Sequence, residues 1–386
     1  MNFEFTEEQE MLRRTVHRFC EKELNREYCR WLDENVNFVP EELWNKFADI
    51  GFLGMNIPKE YGGLGLGVTE NIIVMEELST ASMGVALCLG TTLGFGATPI
   101  MHMGTEEQKK NHLPHIAAGK QVWALALTEP AGGTDILGAI KTKAVDAGDH
   151  WVINGQKVFI SSAHAADYIL TVAITNPDAK RSHGLSCFIV PRSSEGMELR
   201  LIPKLGNHVC GINEIFYEDV RVPKENLLGT LHEGWYELLL TLNTERIWVS
   251  TASLGVAKAA FRDAMEYAKQ REAFGGPIAR FQIIQHYLGE MAIEIENARN
   301  LIYKCAWLAD QGRPMHIEAC MAKIMASRAS EKAAIWGMEI LGGYGYTMEY
   351  DMQRYFRDYK QGVFSPITDE MAMNMMMKFM GLPQSW

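Results

Sequence analysis

The apolar residues of this chain change their spacing twice, and this change restricts the folds that the chain can form. Up to about residue 120 they recur at the three- and four-residue spacing of amphipathic helices. They then form short or alternating runs separated by Pro and Gly, which is typical of strands. Helical spacing returns at Glu233. The sequence therefore predicts an α+β protein with three domains, at residues 1–120, 121–230 and 231–386.

Three local patterns refine this division. Thr6-Glu7-Glu8-Gln9 is a capping box, which predicts the start of a helix over Phe3–Leu24. Asn154-Gly155 is typical of a tight hairpin turn, and it predicts an interruption of the strand pattern over Val152–Ser161. Val85–Met103 is the most apolar stretch, but Gly and Thr residues interrupt it. This composition favours a buried helix over a membrane span.

Charge and cysteine content restrict the partners of the chain. Its 386 residues carry a formal net charge of −11, which argues against binding to nucleic acid or to an anionic membrane surface. The N-terminal MNFEFTEEQE lacks the basic and apolar regions of a signal peptide. The 7 cysteines are scattered and form no C-x-x-C pair. We therefore expect a cytoplasmic protein without a metal site, a nucleic-acid partner or a membrane-inserted segment.

One carboxylate interrupts an otherwise apolar stripe in the third domain. Six residues at successive spacings of four and three share one helix face: Leu238, Leu242, Glu245, Val249, Ala252 and Val256. In one interpretation Glu245 turns to the surface or pairs with a cation such as Arg246. In the other it faces an apolar cleft, where desolvation raises its pKa towards that of a general base. The stripe itself leaves both interpretations open.

Three other segments combine glycines or hydroxyl groups with open backbone amides. Residues 127–135 follow a strand and could bind a phosphate or a flavin edge, although an ordinary Pro-Gly connection is the simpler interpretation. Residues 342–346 are rich in glycine but lack the preceding strand that a dinucleotide-binding fold requires. Residues 365–370 begin a Met-rich helix. Helix N-termini bind anions, but most are simply capped.

Six segments occur in the order and spacing of the acyl-CoA dehydrogenase family. They are PKEYGGLGLG (58–67), ALTEPAGGTD (126–135), INGQKVFIS (153–161), REAFGGPIARFQ (271–282), EILGGYGY (339–346) and RDYKQGVFSPITDE (357–370). The chain resembles this family over essentially its whole length. The resemblance implies an N-terminal α-helical domain, a central β-barrel and a C-terminal four-helix bundle. It also implies a homotetramer that binds FAD.

The resemblance further implies, by position, which residues contact FAD. Those at the isoalloxazine would be Leu125, Leu127, Thr128, Gly133, Thr134, Phe159, Ile160 and Ser161. Phe159 replaces a more common Trp, and Ser161 replaces a more common Thr. Contacts to a neighbouring subunit's FAD would come from Arg271, Phe274, Gln282, Glu339, Gly342 and Gly343, and contacts to the ADP half from Thr368 and Glu370. Glu339 stands where Gln is common, which removes a hydrogen-bond donor.

The family chemistry requires a base for the Cα proton of a CoA thioester and a flavin that accepts hydride from Cβ. Most members carry the base in a Tyr-Glu-Gly-Thr segment, and the equivalent position here is Pro366. A branch typified by isovaleryl-CoA dehydrogenase carries it in a Leu-x-x-Glu-Arg segment, which Leu242–Arg246 matches. The resemblance thus implies Glu245 as the base. The implied acyl-CoA contacts are Thr134, Asn243, Thr244, Arg246, Ser365 and Pro366.

Pro366 also removes a backbone N–H that would bind the thioester oxygen, because proline carries no amide hydrogen. The implied reaction is α,β-desaturation, with electrons passed to an electron-transferring flavoprotein. The alternatives are the reverse enoyl-CoA reduction, an elimination or a cyclic acyl substrate, and a non-catalytic FAD scaffold. The first-helix Glu and the Thr-Asp-Glu-Met segment are similar to bacterial crotonobetainyl-CoA reductase and other anaerobic acyl-CoA enzymes. Retention of Glu245 disfavours the scaffold.

Overall fold

A computed structural model describes residues 4–383, and their first part is helical. The helices are α1 Glu7–Glu23, α2 Arg26–Asn35, α3 Glu41–Asp49, α4 Val68–Ala81, α5 Met83–Thr92, α6 Thr98–Met103 and α7 Glu106–Ala117, with a π-helical turn Leu93–Ala97 between α5 and α6. The predicted capping box is confirmed, because Thr6 Oγ1 accepts from the Gln9 amide at 3.2 Å and Gln9 Oε1 accepts from the Thr6 amide at 3.0 Å. The helix begins at Glu7. Phe3 lies outside the described residues.

The most apolar segment, Met83–Met103, packs inside the protein. It is long and apolar enough to cross a membrane, but 83% of its most apolar window is buried. Gly96 lies against the ring of Trp123, where an added Cβ would lie 2.5 Å from Trp123 Cγ. Glycine therefore lets this segment approach the middle domain closely, and the predicted buried helix is confirmed.

The middle part forms a sheet, and one short helix follows its first strand in the chain. Its strands are β1 Trp123–Ala126, β2 Lys143–Asp146, β3 His150–Ser161, β4 Tyr168–Ile174, β5 Leu185–Pro191, β6 Met197–Ile202, β7 Ile212–Pro223 and β8 Leu227–Leu228, and the helix is α8 Ile136–Ala139. The hydrogen-bonded order is β6-β7-β3-β2-β4-β5-β8, and β1 pairs with β4 in parallel. Within residues 4–383 the end strands β6 and β8 are not joined. The predicted order of a helical, a sheet-rich and a helical domain is confirmed, and the middle domain is built on one eight-stranded sheet.

The predicted turn at Asn154-Gly155 is wrong, because β3 runs through both residues. Gly155 has a φ of +153°, and the register of β3 with β7 shifts between Ile153 and Gly155. The Asn154 side chain exchanges two hydrogen bonds of 2.9 Å with Asp219 on β7. Cross-strand pairing therefore uses the freedom of glycine for a bulge within the strand.

The last part is a bundle of long helices. It contains α9 Gly234–Gln270, the short hairpin β9 Glu272–Ala273 and β10 Gly276–Pro277, α10 Gln282–Asp310, α11 His316–Leu341, α12 Met352–Phe364 and α13 Asp369–Phe379. With 37 residues, α9 is about 55 Å long and contacts α4, α5 and α6 of the first domain, β5 of the second and α10, α11 and α12. This length brings residues in the first third of α9 to the junction of all three parts.

Candidate active site

A small cavity lies where the three parts of the chain meet. Its volume is about 70 Å³, and its walls come from α4 and α5, the end of β3, the loop before β7, α9, and the end of α12. The lining residues are Met75, Leu87, Gly90, Thr91, Phe95, Ser161, Cys210, Glu245, Trp248, Val249, Gln361 and Ser365. Ligand sites are common at such domain junctions.

Glu245 is the carboxylate of this cavity. Leu238, Ala252 and Val256 on the same stripe are fully or almost fully buried, so the stripe faces the protein interior. Glu245 is partly buried, and its side chain lines the cavity beside Trp248 and Val249. Burial raises the pKa of its carboxyl to about 7, although Arg246 opposes the shift. Glu245 therefore faces a cleft instead of the surface, and residues such as Gln361 and Ser365 give this cleft a polar wall as well.

A buried ion pair holds the loop that follows β1. Lys157 Nζ, on β3, donates to Glu129 Oε1 at 2.9 Å and to the Leu127 carbonyl at 3.0 Å. Glu129 also accepts from the backbone amides of Lys141 and Thr142 at 2.7 and 3.0 Å. Burial lowers the pKa of Lys157 to about 8, and Glu129 opposes this shift. Because every charge in this cluster has partners, the loop has a fixed position.

This loop and the end of β3 bring the predicted isoalloxazine contacts together. The Val158 amide donates to the Thr128 carbonyl at 2.9 Å, so Phe159 and Ser161 lie beside the loop. Phe159 has a φ of +60° at a register shift of β3, and it is 61% exposed. Ser161 lines the cavity that contains Glu245. The other predicted contacts of this group lie on β1, on its loop or on β3: Leu125, Leu127, Thr128, Gly133, Thr134 and Ile160.

A second, open groove of about 500 Å³ contains three of the contacts predicted for a neighbouring subunit's FAD. Arg271, Gly342 and Gly343 line it together with Tyr344, whose ring lies 5.9 Å from the Arg271 guanidinium. Gly342 has a φ of +58°, and no atom lies within 4 Å of a Cβ added at either glycine. The backbone there is open to a ligand. The groove shares no lining residue with the cavity.

The remaining predicted contacts are not among the lining residues of this groove and lie between β9 and β10, on α10 and α11, and at the start of α13. Phe274, between β9 and β10, is 90% exposed, and Gln282 and Glu339 are exposed on α10 and α11. Thr368 caps α13 by accepting from the Met371 amide at 3.1 Å. Glu370 is exposed on the first turn of α13. This helix start is therefore capped by its own side chain.

The predicted acyl-CoA contacts are only partly assembled in the cavity. Ser365 lines it, whereas Pro366, which follows a cis peptide bond, does not. Thr244 and buried Arg246 flank Glu245 on α9. The Asn243 side chain lies outside the described part of the chain. Thr134 lies on the exposed loop after β1.

Several cavity residues were not predicted from the sequence. Thr91 comes from α5, Cys210 from the loop before β7, Trp248 from α9 and Gln361 from α12. Helix α5 is apolar on all sides, so its sequence marks no functional face. Gln361 belongs to an ordinary amphipathic helix, and only the packing of α12 against α9 and α11, with the hydrogen bond from Asn207, brings it to the cavity.

Comparison with known proteins follows the same three-part division. Residues 6–120 match the N-terminal domain of acyl-CoA dehydrogenases, residues 124–220 match the middle domain, and residues 232–381 match the C-terminal domain. Together these matches cover most of the chain in the family's order.

Whole-length relatives agree with these matches. The chain is 39% identical over 355 residues to a caffeyl-CoA reductase-Etf complex subunit of Acetobacterium woodii, covering 92% of this chain and 93% of that protein. It is 37% identical over 361 residues to a short-chain specific acyl-CoA dehydrogenase of Clostridium acetobutylicum, covering 93% and 94%. The solved butyryl-CoA dehydrogenase of Megasphaera elsdenii superimposes with a TM-score of 0.94 at 34% identity, covering 98% of this chain and 100% of that one. The chain therefore belongs to the acyl-CoA dehydrogenase family of flavin-dependent oxidoreductases that act on CH–CH bonds.

Proposed function

We propose that this protein desaturates the Cα–Cβ bond of a CoA thioester, with Glu245 as the base that removes the Cα proton. The observation that carries this proposal is the position of Glu245 in the wall of a cavity between domains, with a pKa raised by burial to about 7. A base with such a pKa is substantially ionised at neutral pH and is basic enough to accept a carbon-bound proton.

The cavity walls support the proton transfer in two ways. Apolar side chains such as Trp248 and Val249 line the cavity beside the carboxylate and lower the local polarity, which strengthens its electrostatic interactions. The Cα proton becomes acidic only when the thioester oxygen accepts hydrogen bonds. Since Pro366 offers no amide hydrogen, we propose that the Ser365 hydroxyl, which lines the cavity, donates to this oxygen.

The residues present fit FAD as the flavin. Gly342 and Gly343 leave their backbone open on the second groove, and Arg271 adds a cation there, which suits the phosphates of a dinucleotide. The loop after β1 and the end of β3 provide a separate platform next to the cavity. When bound, the flavin supplies a two-electron acceptor for the Cβ hydride. Because the two places are separate, we propose a homotetramer in which Arg271, Phe274, Gln282 and Glu339 contact a neighbour's FAD.

Names of relatives support the proposed partner and a second direction of reaction. One relative is a subunit of a caffeyl-CoA reductase-Etf complex, and another, 37% identical, is a 3-(aryl)acrylate reductase of Clostridium sporogenes. We propose that this chain exchanges electrons with an electron-transferring flavoprotein in the cytoplasm. The second candidate function is reduction of an enoyl-CoA at the same site, because Glu245 can return its proton to Cα.

Anaerobic flavin spectroscopy tests both directions. The purified protein should contain one FAD per chain, and a short-chain acyl-CoA should bleach it without any other reductant. Chemically reduced protein should regain its absorbance when the corresponding enoyl-CoA is added, and the two rates measure the preferred direction. A colourless protein that takes up no FAD, or an FAD-loaded protein that no acyl-CoA bleaches and no enoyl-CoA reoxidises, would overturn the proposal.

A further inference from the structure

The cavity at Glu245 has two chemically different walls. One wall is apolar and consists of Met75, Leu87, Phe95, Trp248 and Val249. The other carries polar or thiol groups and consists of Thr91, Ser161, Cys210, Gln361 and Ser365. A hydrocarbon acyl chain gains from the first wall but gives no partner to any hydrogen-bonding group of the second wall that the protein itself leaves unpaired, which is costly where the acyl chain displaces water.

Most groups of the polar wall already have partners within the protein. Thr91 Oγ1 donates to the Cys88 carbonyl at 2.9 Å and lies 3.4 Å from Ser162 Oγ. Ser162 Oγ lies 3.6 Å from Cys210 Sγ, and the Cys210 amide donates to the Asn207 carbonyl at 3.0 Å. These contacts connect the wall from α5 to the loop before β7 and fix its shape.

Gln361 completes the wall with its amide held in one orientation. Asn207 Nδ2 donates to Gln361 Oε1 at 2.8 Å and to the Asp358 carbonyl at 3.3 Å. The Asn207 backbone amide also donates to Asp358 Oδ1 at 2.6 Å. A flipped Asn207 amide would place its Oδ1 against the Asp358 carbonyl oxygen. Asn207 Nδ2 therefore donates to that carbonyl, and Gln361 Oε1 accepts from the same amide group.

The fixed amide leaves its donor end available. Nε2 of Gln361 carries two N–H groups, and within residues 4–383 no protein atom accepts from them. The side chain lines the cavity four residues before Ser365, a rise of about 6 Å along a helix. Gln361 thus offers a positioned donor at a second place on the wall, separate from the hydroxyl that we assign to the thioester oxygen.

The charge of the cavity limits the matching group. Among the described residues that line the cavity there is no Lys, Arg or His, and Glu245 is the one carboxylate. An anionic substituent on the acyl group would meet no cation there and would be repelled by the ionised base. An uncharged oxygen avoids this repulsion and still accepts a hydrogen bond.

We infer that the acyl group accepted by this cavity carries an uncharged oxygen that accepts a hydrogen bond from Gln361 Nε2. This inference rests on the proposed function, because it concerns the acyl end of the same site. The cavity volume of about 70 Å³ further indicates that the acyl group is short. Gln361 is then a specificity-determining residue.

Matched acyl-CoA pairs test this inference. In each pair one methyl group is replaced by a hydroxyl group: isovaleryl-CoA against 3-hydroxybutanoyl-CoA, and pentanoyl-CoA against 4-hydroxybutanoyl-CoA. The protein and its variants are titrated anaerobically in a Glu245→Gln background, in which an acyl-CoA binds without rapidly reducing the flavin, so that flavin spectral changes give the Kd of each ligand. In at least one pair the hydroxylated member should bind about five- to tenfold more tightly. Gln361→Met, which keeps the length of the side chain, should abolish this preference and change the Kd of the methyl members by less than about twofold.

Gln353→Met is the matched control, because Gln353 lies on the same helix but does not line the cavity. It should keep the wild-type preference for the hydroxylated members. Glutaryl-CoA, which carries an anionic carboxylate, should bind to the wild type more weakly than either hydroxylated ligand. Tighter binding of the methyl member in both pairs by the wild type would overturn the inference. A preference for the hydroxylated member that survives in Gln361→Met would also overturn the inference. An equal loss of affinity for both members would overturn it as well, because Gln361 would then act on the thioester or on the fold. Tight binding without flavin reduction by any acyl-CoA would contradict the proposed function and still leave the preference measurable.

Discussion

Glu76 and Glu245 are both shielded from bulk solvent by neighbouring helices, yet their environments have opposite effects. Glu76 on α4 accepts from Tyr303 Oη at 2.6 Å and from Arg299 Nε at 3.3 Å, and it also pairs with Lys258. Burial alone would raise the pKa of Glu76, but Lys258, Arg299 and the hydrogen bonds lower it. Burial dominates at Glu245 and raises its pKa to about 7.

This difference separates a carboxylate that joins helices from one that can transfer a proton. The partners of Glu76 come from α9 and α10, so its ionised form links three helices. Glu245 faces a cavity, and the charge of Arg246 does not outweigh the effect of burial, so its ionised form is destabilised and its affinity for a proton is high. Four predictions test whether these roles are as distinct as the contacts indicate.

The largest expected effect is that of Glu245→Gln on the chemical step. The amide keeps the volume of the side chain but cannot accept the Cα proton, so anaerobic flavin reduction should slow by about two to four orders of magnitude. FAD content and acyl-CoA binding should remain, as measured by absorbance and spectral titration. Reduction at nearly the wild-type rate would show that another group is the base.

Glu76→Gln should act on stability instead. The substitution leaves Lys258 and Arg299 without their counter-charge, and these side chains are 29% and 30% exposed, so water compensates in part. We expect a loss of about 2–3 kcal/mol in the free energy of unfolding, below the range for a fully buried pair. Urea titration measures this loss. Glu8→Gln, at an exposed position of α1, is the control and should change stability by less than about 0.5 kcal/mol. If folded Glu76→Gln reduced its flavin more slowly than the wild type, Glu76 would also affect the reaction, and the two roles would not be distinct.

The two carboxylates should also make the free energy of unfolding change with pH in opposite directions, in two adjacent pH ranges. The lowered pKa of Glu76 gives stability that is present above its ordinary value of 4.5 and is lost as the pH falls below it. At Glu245 the folded state retains a proton between 4.5 and about 7 that the unfolded state has released. Stability should therefore decline by about 1–2 kcal/mol as the pH rises through this range, a value reduced for water in the cavity.

Urea unfolding across both ranges measures these slopes. Glu245→Gln should remove the decline up to about pH 7, and Glu76→Gln should weaken the loss in acid. In the same upper range the rate of flavin reduction should increase with pH as Glu245 ionises. A stability profile that Glu245→Gln leaves unchanged would contradict the raised pKa.

The smallest expected effect is that of Tyr303→Phe. Removal of the hydroxyl takes one donor from Glu76, while Lys258 and Arg299 remain and the ring can still contact Phe5, whose centroid lies 5.1 Å away. The free energy of unfolding should fall by about 1 kcal/mol, with no change in flavin reduction. A loss as large as that of Glu76→Gln would mean that the hydroxyl, and not the ion pairs, holds the network.

Local patterns were predicted well where neighbouring residues in sequence settle the structure. The capping box of α1 needs only residues Thr6–Gln9, and it forms as expected. The Asn154-Gly155 turn was not predicted correctly, because Asp219, far along the chain, pairs with Asn154 and keeps the strand intact. The role of Glu76 could not be predicted from the sequence either, because α4 shows no preferred apolar face and the cations that pair with Glu76 come from other helices.

The sequence by itself determined the order of helical and sheet domains, the family, and the stripe that singled out Glu245, since each depends on spacing along one element. Only the tertiary structure decided what the stripe faces, because a cavity requires atoms from α4, α5, α9, α12 and the middle domain at one point. It also decided that Gln361 lines that cavity with its Oε1 held by Asn207, a residue more than 150 positions earlier. The spacing of apolar residues shows which side chains share a face, whereas packing determines what that face contacts.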